Sequence, residues 1–150
     1  MKHDFDKFPE LTNVQMAEFY FDSPHKQITE NFFATVVKVH DGDTITVRWD
    51  ERDFDFPIRF LDTNAPELNE EGGKESQQWL EGLILNEEIE IMIDKNQRVG
   101  KWGRLLGRII HKGINLNQQS MMEGRATAFE KRNEGKLPNL NQDLRIEQWL

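Results

Sequence analysis

The fold is decided by residues 32–60, which read FFATVVKVHDGDTITVRWDERDFDFPIRF. Apolar and polar residues alternate along this stretch, which is the period of strands with one buried face. The pattern predicts strands over Phe32–Val39 and Thr44–Trp49, and a third from Phe54 to Phe60. Between the first two, His40-Asp41-Gly42-Asp43 has the composition of a tight turn. We therefore expect three antiparallel strands joined by short turns.

After this meander, the apolar pattern changes to the period of a helix. Four apolar residues share one helical face, and Asn86 can end the helix: Trp79, Leu80, Leu83 and Ile84. Strand signals return at 89–93 and 105–110, and a second helix is predicted over 116–123 with Asn115 as its cap and Gly124 as its stop. Five strands with one helix after the third and another after the fifth are typical of a closed Greek-key barrel of the oligonucleotide-binding (OB) type. We assign this α+β barrel to residues 32–130.

Both ends of the chain extend beyond the predicted barrel. Residues 1–31 contain a short amphipathic helix, in which four apolar residues lie on one face: Leu11, Val14, Ala17 and Phe21. Such a stripe needs a cover, so we expect residues 11–21 to dock on the barrel or to contact a second subunit or a partner protein. The short linker to the first strand favours docking on the barrel. Residues 131–150 form a C-terminal extension with a possible helix from Asn141.

Composition excludes several classes of protein. The 150 residues include no cysteine, which excludes disulfide frameworks, thiolate metal sites and cysteine nucleophiles. No apolar run approaches the ~18 residues that a membrane span needs. The first residues, MKHDFDKFPE, lack the apolar region of a signal peptide, so we expect a cytoplasmic protein without a membrane segment.

Charge is unevenly distributed. The net charge of −8 opposes general binding to polyanions. Between Asp94 and Gly113, however, basic residues dominate: Lys95, Arg98, Lys101, Arg104, Arg108 and Lys112. This stripe indicates either a local site for an anionic ligand or a set of solvated hairpin charges.

Three ordered motifs carry a family resemblance. They are Asp41-Gly42-Asp43-Thr44, then Ile58-Arg59 followed by Ala65-Pro66-Glu67, and then DKNQRVGKWGR at residues 94–104. Together they resemble the staphylococcal nuclease (thermonuclease) family over about residues 32–129.

The resemblance implies a site for phosphodiester hydrolysis. In that family one Ca²⁺ is held by two aspartates and a backbone carbonyl, and the matching residues here are Asp43, Asn64 and Ala65. Glu67 matches the proposed general base on the attacking water. Arg59 and Arg104 match the two arginines that clamp the phosphate, a task for which guanidinium forks are suited. Lys101 and Trp102 match the residues that contact the nucleotide.

One position departs from the family pattern. Asn64 stands where the second metal-binding aspartate is usual, and Asp62 lies two residues earlier. An asparagine oxygen can bind Ca²⁺ but brings no charge, so we expect weaker binding of one ion. Asp62 could replace it only if the strand slipped or bulged.

Two functions remain open from the sequence. One is a Ca²⁺-dependent endonuclease that cuts DNA or RNA with little sequence preference. The other is a catalytically weak or inactive barrel that binds nucleic acid or assembles with proteins. Degenerate relatives usually lose the charged residues together, and the retention of Asp43, Arg59, Glu67 and Arg104 favours the enzyme.

Overall fold

The computed structural model of this protein describes three stretches of the chain, residues 10–19, 25–100 and 103–128. Along these stretches the elements are α1 (Asn13–Phe19), β1 (Phe32–Asp41), β2 (Thr44–Arg48), β3 (Phe56–Phe60), β4 (Thr63–Asn64), α2 (Gly73–Ile84), β5 (Glu88–Met92), β6 (Leu105–His111), β7 (Ile114–Asn115), α3 (Leu116–Met122) and β8 (Thr127–Ala128).

Five of the strands close into a barrel. Their order is β3-β2-β1-β5-β6, and neighbouring strands in this series are antiparallel. A parallel pairing of β3 with β6, in register Ile58↔Leu105, closes the barrel. The predicted barrel is confirmed, with α2 after its third strand and α3 after its fifth. The two-residue strands β4, β7 and β8 were not predicted, because so short a segment has no period.

Alternation along the strands builds the core. The inward residues of the barrel are almost entirely inaccessible: Val36, Ile45, Val47, Phe56, Ile58, Ile89, Ile91, Leu105 and Ile109. Helix α2 covers them with Leu80 and Ile84, whereas Leu83, at the side of the predicted stripe, remains 38% exposed. In α3, the Asn115 side chain accepts a hydrogen bond from the Gln118 amide, which confirms the predicted cap.

The N-terminal helix forms where it was predicted, but two residues of its apolar stripe, Val14 and Ala17, are not covered by the barrel. Thr12 and Gln15 exchange side-chain-to-amide hydrogen bonds, which is a capping box. Val14 is 74% exposed and Ala17 is also exposed, so docking of this stripe on the barrel was a wrong expectation for these two residues. Phe21 and the predicted C-terminal helix lie outside the described residues.

Polar groups attach the N-terminal extension instead. Glu10 and Arg52 form a buried ion pair through two hydrogen bonds of 2.8 and 3.0 Å, and Arg52 lies over the Phe56 ring. Arg98 is also buried and donates to the backbone oxygens of Leu11 and Ile28. Periodicity cannot detect such contacts because they join residues far apart in sequence. None of the helices in the described part of the chain is long and apolar enough to cross a membrane.

Candidate active site at the open end of the barrel

The turn between β1 and β2 presents Asp43. The Asp43 amide donates to Asp41 Oδ1 at 3.1 Å, which holds the turn from inside. A Cβ atom on Gly42 would overlap the side chains of Ser76 and Ala65. Glycine is therefore required here because the turn packs directly against α2 and the segment after β4, and this close approach buries Asp43.

The Asp43 carboxylate is held by three donors. Oδ2 accepts a hydrogen bond from the Ala65 amide at 2.8 Å, and Oδ1 accepts one from the Thr44 hydroxyl at 3.1 Å. Arg59 Nη2 lies 3.4 Å from Oδ2. Burial raises the pKa of Asp43 to about 6, although the charge of Arg59 opposes this rise. Burial therefore destabilises the ionised carboxylate, and an additional positive charge would stabilise it.

Arg59 reaches the same point from β3. The register pairs Thr44 with Arg59, so the guanidinium lies beside the end of β2. Its Nη1 donates to the backbone oxygens of Phe60 and Thr63, and its Nη2 donates to Asn64 Oδ1 at 3.1 Å. Arg59 therefore contacts both Asp43 and Asn64.

The segment after β3 fixes Asn64 and Ala65. Strand β4 pairs Asn64 with Thr127 of β8, and the Ala65 amide bonds to Asp43. Asp62 has a positive φ of 59° and forms an ion pair with Arg108 at 3.0 Å. Asp62 is therefore engaged elsewhere and does not take the place of the aspartate that Asn64 replaces.

Glu67 lies in the loop that leads into α2. Its amide donates to Glu70 Oε1, and its carbonyl accepts from the Glu70 amide, both at 2.8 Å. A Cβ atom on Gly73 would overlap the Glu67 carbonyl, so the start of α2 packs directly on this loop. The loop backbone is well defined, while the Glu67 side chain is exposed and accessible to solvent.

Arg104 ends the segment 94–104, which we call the basic turn. It directly precedes Leu105, which pairs with Ile58 in the parallel pairing, so Arg104 lies just before the strand that neighbours the strand of Arg59. Burial, followed by the charges of Lys38 and Arg104, lowers the pKa of His40 below its usual range. Lys101 and Trp102 lie outside the described residues.

The predicted basic stripe does not act as one surface. Arg98 is buried among backbone oxygens of the N-terminal extension, and Arg108 pairs with Asp62 and, at 4.0 Å, with Asp94. These two arginines have internal partners because the turn folds back on the chain. Among the described members of the stripe, Arg104 is the one that directly precedes β6, at the start of its pairing with the strand of Arg59.

Sequence reasoning missed three residues around Asp43. Asp41 and Thr44 bond to Asp43 directly, and His40 Nε2 lies 2.7 Å from Thr46 Oγ1. Asp41 belongs to the Asp-Gly-Asp motif and the other two residues adjoin it, and that adjacency was the signal available. Their roles depend on which way each side chain points, which the motif alone does not specify.

The oxygens around Asp43 can be tested against a Ca²⁺ site. One carboxylate, the Asn64 amide oxygen and nearby backbone carbonyls are all hard oxygen donors, which Ca²⁺ prefers. Within residues 10–19, 25–100 and 103–128, no three acidic or histidine residues cluster closely enough to form a metal site. These oxygen donors are therefore of the type that binds Ca²⁺, but they include fewer carboxylates than a tight Ca²⁺ site.

The fold and the site define an OB-type barrel with arginine and carboxylate groups gathered where its strands end. The chain belongs to the staphylococcal nuclease homologue family, whose sequence model matches residues 57–147, more than half of the chain. It is also similar to two Escherichia coli proteins named "Uncharacterized endonuclease", one from strain O157:H7. Each is 32% identical over 134 residues, which cover 88% of this chain and 83% of the relative.

Proposed function

We propose that the protein is an endonuclease that hydrolyses phosphodiester bonds of DNA or RNA with little sequence preference. The observation that carries this proposal is the convergence of Asp43, Arg59 and Asn64 within direct hydrogen-bond and ion-pair distance. Membership of the nuclease homologue family and the endonuclease names of the two relatives support it. The net charge of −8 makes binding depend on local contacts rather than on the overall field.

Each residue has a task that the reaction requires. Arg59 and Arg104 bind the non-bridging oxygens of the phosphate and stabilise the charge that develops on them in the transition state. Glu67, exposed at the loop before α2, accepts the proton of the attacking water as general base. Lys101 and Trp102 contact the nucleotide next to the cleaved bond.

Asp43, Asn64 and the Ala65 carbonyl would hold one Ca²⁺ ion, bound weakly because only Asp43 brings a charge. When bound, the ion supplies Lewis-acid stabilisation of the phosphate. Burial makes the ionised form of Asp43 less stable than it is in water, so a cation beside it would stabilise that form. Arg59 Nη2 donates one hydrogen bond to Asn64 Oδ1, and the second lone pair of that oxygen would be available to an ion.

The test is cleavage of single-stranded DNA while Ca²⁺ is titrated against a chelator. Cleavage is expected to require Ca²⁺, and Asp43→Ala is expected to abolish it. Arg48→Ala serves as the matched control because Arg48 is exposed and pairs only with Asp55 among the described contacts. If the unmodified chain binds DNA but cuts neither DNA nor RNA at any Ca²⁺ concentration, a binding module replaces the nuclease.

A further inference from the structure

The N-terminal extension holds the basic turn at both of its ends. The Asn13 side chain donates to the Lys95 carbonyl at 2.8 Å, near the start of the turn. The Glu10 amide donates to the Gly103 carbonyl at 3.0 Å, one residue before Arg104. Two residues of the extension therefore span the whole length of the turn.

Arg98 connects the middle of the turn to the same extension. Its guanidinium donates to the carbonyls of Ile28 and Leu11 at 2.7 and 2.9 Å, and to Asn13 Oδ1 at 3.2 Å. Arg98 is only 3% exposed, so these bonds are shielded from water. An arginine suits this role because its planar fork can bond several oxygens in fixed directions.

The extension is itself fixed to the barrel. The Glu10 carboxylate is bound in the ion pair with Arg52, whose side chain also donates to the Lys26 carbonyl. The Leu11 amide donates to Gln27 Oε1 at 2.7 Å. Because the extension is fixed to the barrel, its hydrogen bonds to the basic turn restrain the movement of the turn.

Within the turn, the backbone bonds lead to Arg104. The Gly100 amide donates to the Arg104 carbonyl at 2.8 Å, and the Leu106 amide donates to the Arg98 carbonyl at 2.8 Å. The position of the Arg104 backbone is therefore coupled to Arg98, which the extension holds.

We propose that residues 10–13 are a brace that positions Arg104 for the substrate phosphate, with Asn13 and Arg98 as positioning residues. The inference rests on the proposed function, because it assumes that Arg104 binds the substrate phosphate. A misplacement of about 1 Å in such a group can reduce a rate by as much as ~10².

Asn13→Ala tests the brace with little risk to folding, because Asn13 is exposed and the variant keeps the Glu10–Arg52 pair. Thr12→Ala is the matched control: it removes the capping box of the same helix and touches no residue of the turn among the described contacts. Hydrogen exchange of the Gly100 and Gly103 amides reports the rigidity of the turn without any need for activity. Faster exchange is expected in Asn13→Ala and not in Thr12→Ala.

Binding and kinetics then show whether rigidity positions Arg104. Binding of a single-stranded DNA oligonucleotide in the presence of a chelator should depend less steeply on salt in Asn13→Ala, by up to about 0.7 in the log–log slope for one lost phosphate contact. The value of kcat/KM should fall between about tenfold and ~10²-fold. In an Arg104→Lys background, Asn13→Ala should have almost no further effect, because the two changes act through one group.

If Asn13→Ala lowers kcat/KM as much in the Arg104→Lys background as in the parent chain, the brace is overturned. An equal loss of kcat/KM in Thr12→Ala also overturns it. Faster exchange with unchanged salt slope and unchanged kcat/KM also overturns it. If the unmodified chain cleaves nothing, the proposed nuclease fails, and the salt slope of oligonucleotide binding alone decides whether the brace positions Arg104.

Discussion

Two arginine–carboxylate pairs in this barrel contrast in geometry and in exposure. The Arg52 and Glu10 side chains are each 1% exposed and share two hydrogen bonds of 2.8 and 3.0 Å. Arg59 and Asp43 approach only to 3.4 Å, with side-chain exposures of 16% and 7%. The first pair is closed to solvent and to ligands, whereas the second opens at the end of the barrel.

The difference separates a pair that stabilises the fold from a pair to which the proposed function assigns a role. Arg52 binds both carboxylate oxygens of Glu10 through Nη1 and Nη2, and burial keeps the pair out of reach of a ligand. Asp43 is satisfied incompletely: burial raises its pKa to about 6 despite the nearby arginine. Arg59 meanwhile divides its donors among backbone oxygens, Asn64 and Asp43. A site with unmet charge can gain energy from a ligand, and a sealed pair cannot.

The largest expected effect is the loss of stability when the buried Arg52–Glu10 pair is broken. Glu10→Ala leaves Arg52 charged and buried without its partner, which should lower the free energy of unfolding by about 3–5 kcal/mol. Urea denaturation measures this loss. The control is Asp55→Ala, which breaks the exposed pair with Arg48 and should cost no more than about 1 kcal/mol. If Glu10→Ala and Asp55→Ala lowered the free energy of unfolding equally, the contrast between a buried and an exposed ion pair would be wrong.

The next effect concerns two arginines of the proposed site: Arg59, which pairs with Asp43, and Arg104, which directly precedes β6. Arg59→Lys and Arg104→Lys keep the charge but lose the fork, and each should lower kcat/KM by ~10²–10³. Thermal melting should show Arg104→Lys close to the parent chain. Arg48→Lys, a surface change, serves as the control for activity. Full activity in both site variants would remove the phosphate clamp from the mechanism.

A third prediction uses the pKa of Asp43. Between its ordinary value of 3.8 and about 6, the folded chain retains a proton that the unfolded chain has lost. The contribution of Asp43 to stability therefore falls as pH rises through this window and stays reduced above it. Asp43→Asn cannot ionise, so it should be more stable than the parent above the window by about 1–3 kcal/mol.

This difference is measured by denaturation of both chelator-treated proteins across the pH range. It should shrink toward zero or change sign at acidic pH, where the Asp43 carboxyl is protonated in both states. A difference that does not vary with pH would contradict the raised pKa.

The smallest expected effect is at Asn64. Asn64→Asp supplies the missing carboxylate, so the Ca²⁺ concentration for half-maximal cleavage should fall several-fold. Asn69→Asp, at an exposed position of the neighbouring loop, controls for added negative charge. An unchanged Ca²⁺ response in Asn64→Asp would contradict the assignment of this position to the metal.

The sequence by itself determined the five barrel strands and the positions of α2 and α3. Strand alternation and helical spacing are local patterns, and burial enforces them wherever one face must meet the core. The family motifs pointed to Asp43, Arg59 and Asn64, which the fold brings into contact.

Only the tertiary structure decided which charges are buried within the fold. By charge pattern alone, Arg98 and Arg104 are equivalent members of one basic stripe, yet Arg98 is buried in contact with the N-terminal extension and Arg104 lies just before β6, which pairs with the strand of Arg59. Glu10 and Arg52 are 42 residues apart, so no local pattern pairs them. The state of a charge depends on its partners and on its access to water, and both are set by contacts between distant parts of the chain.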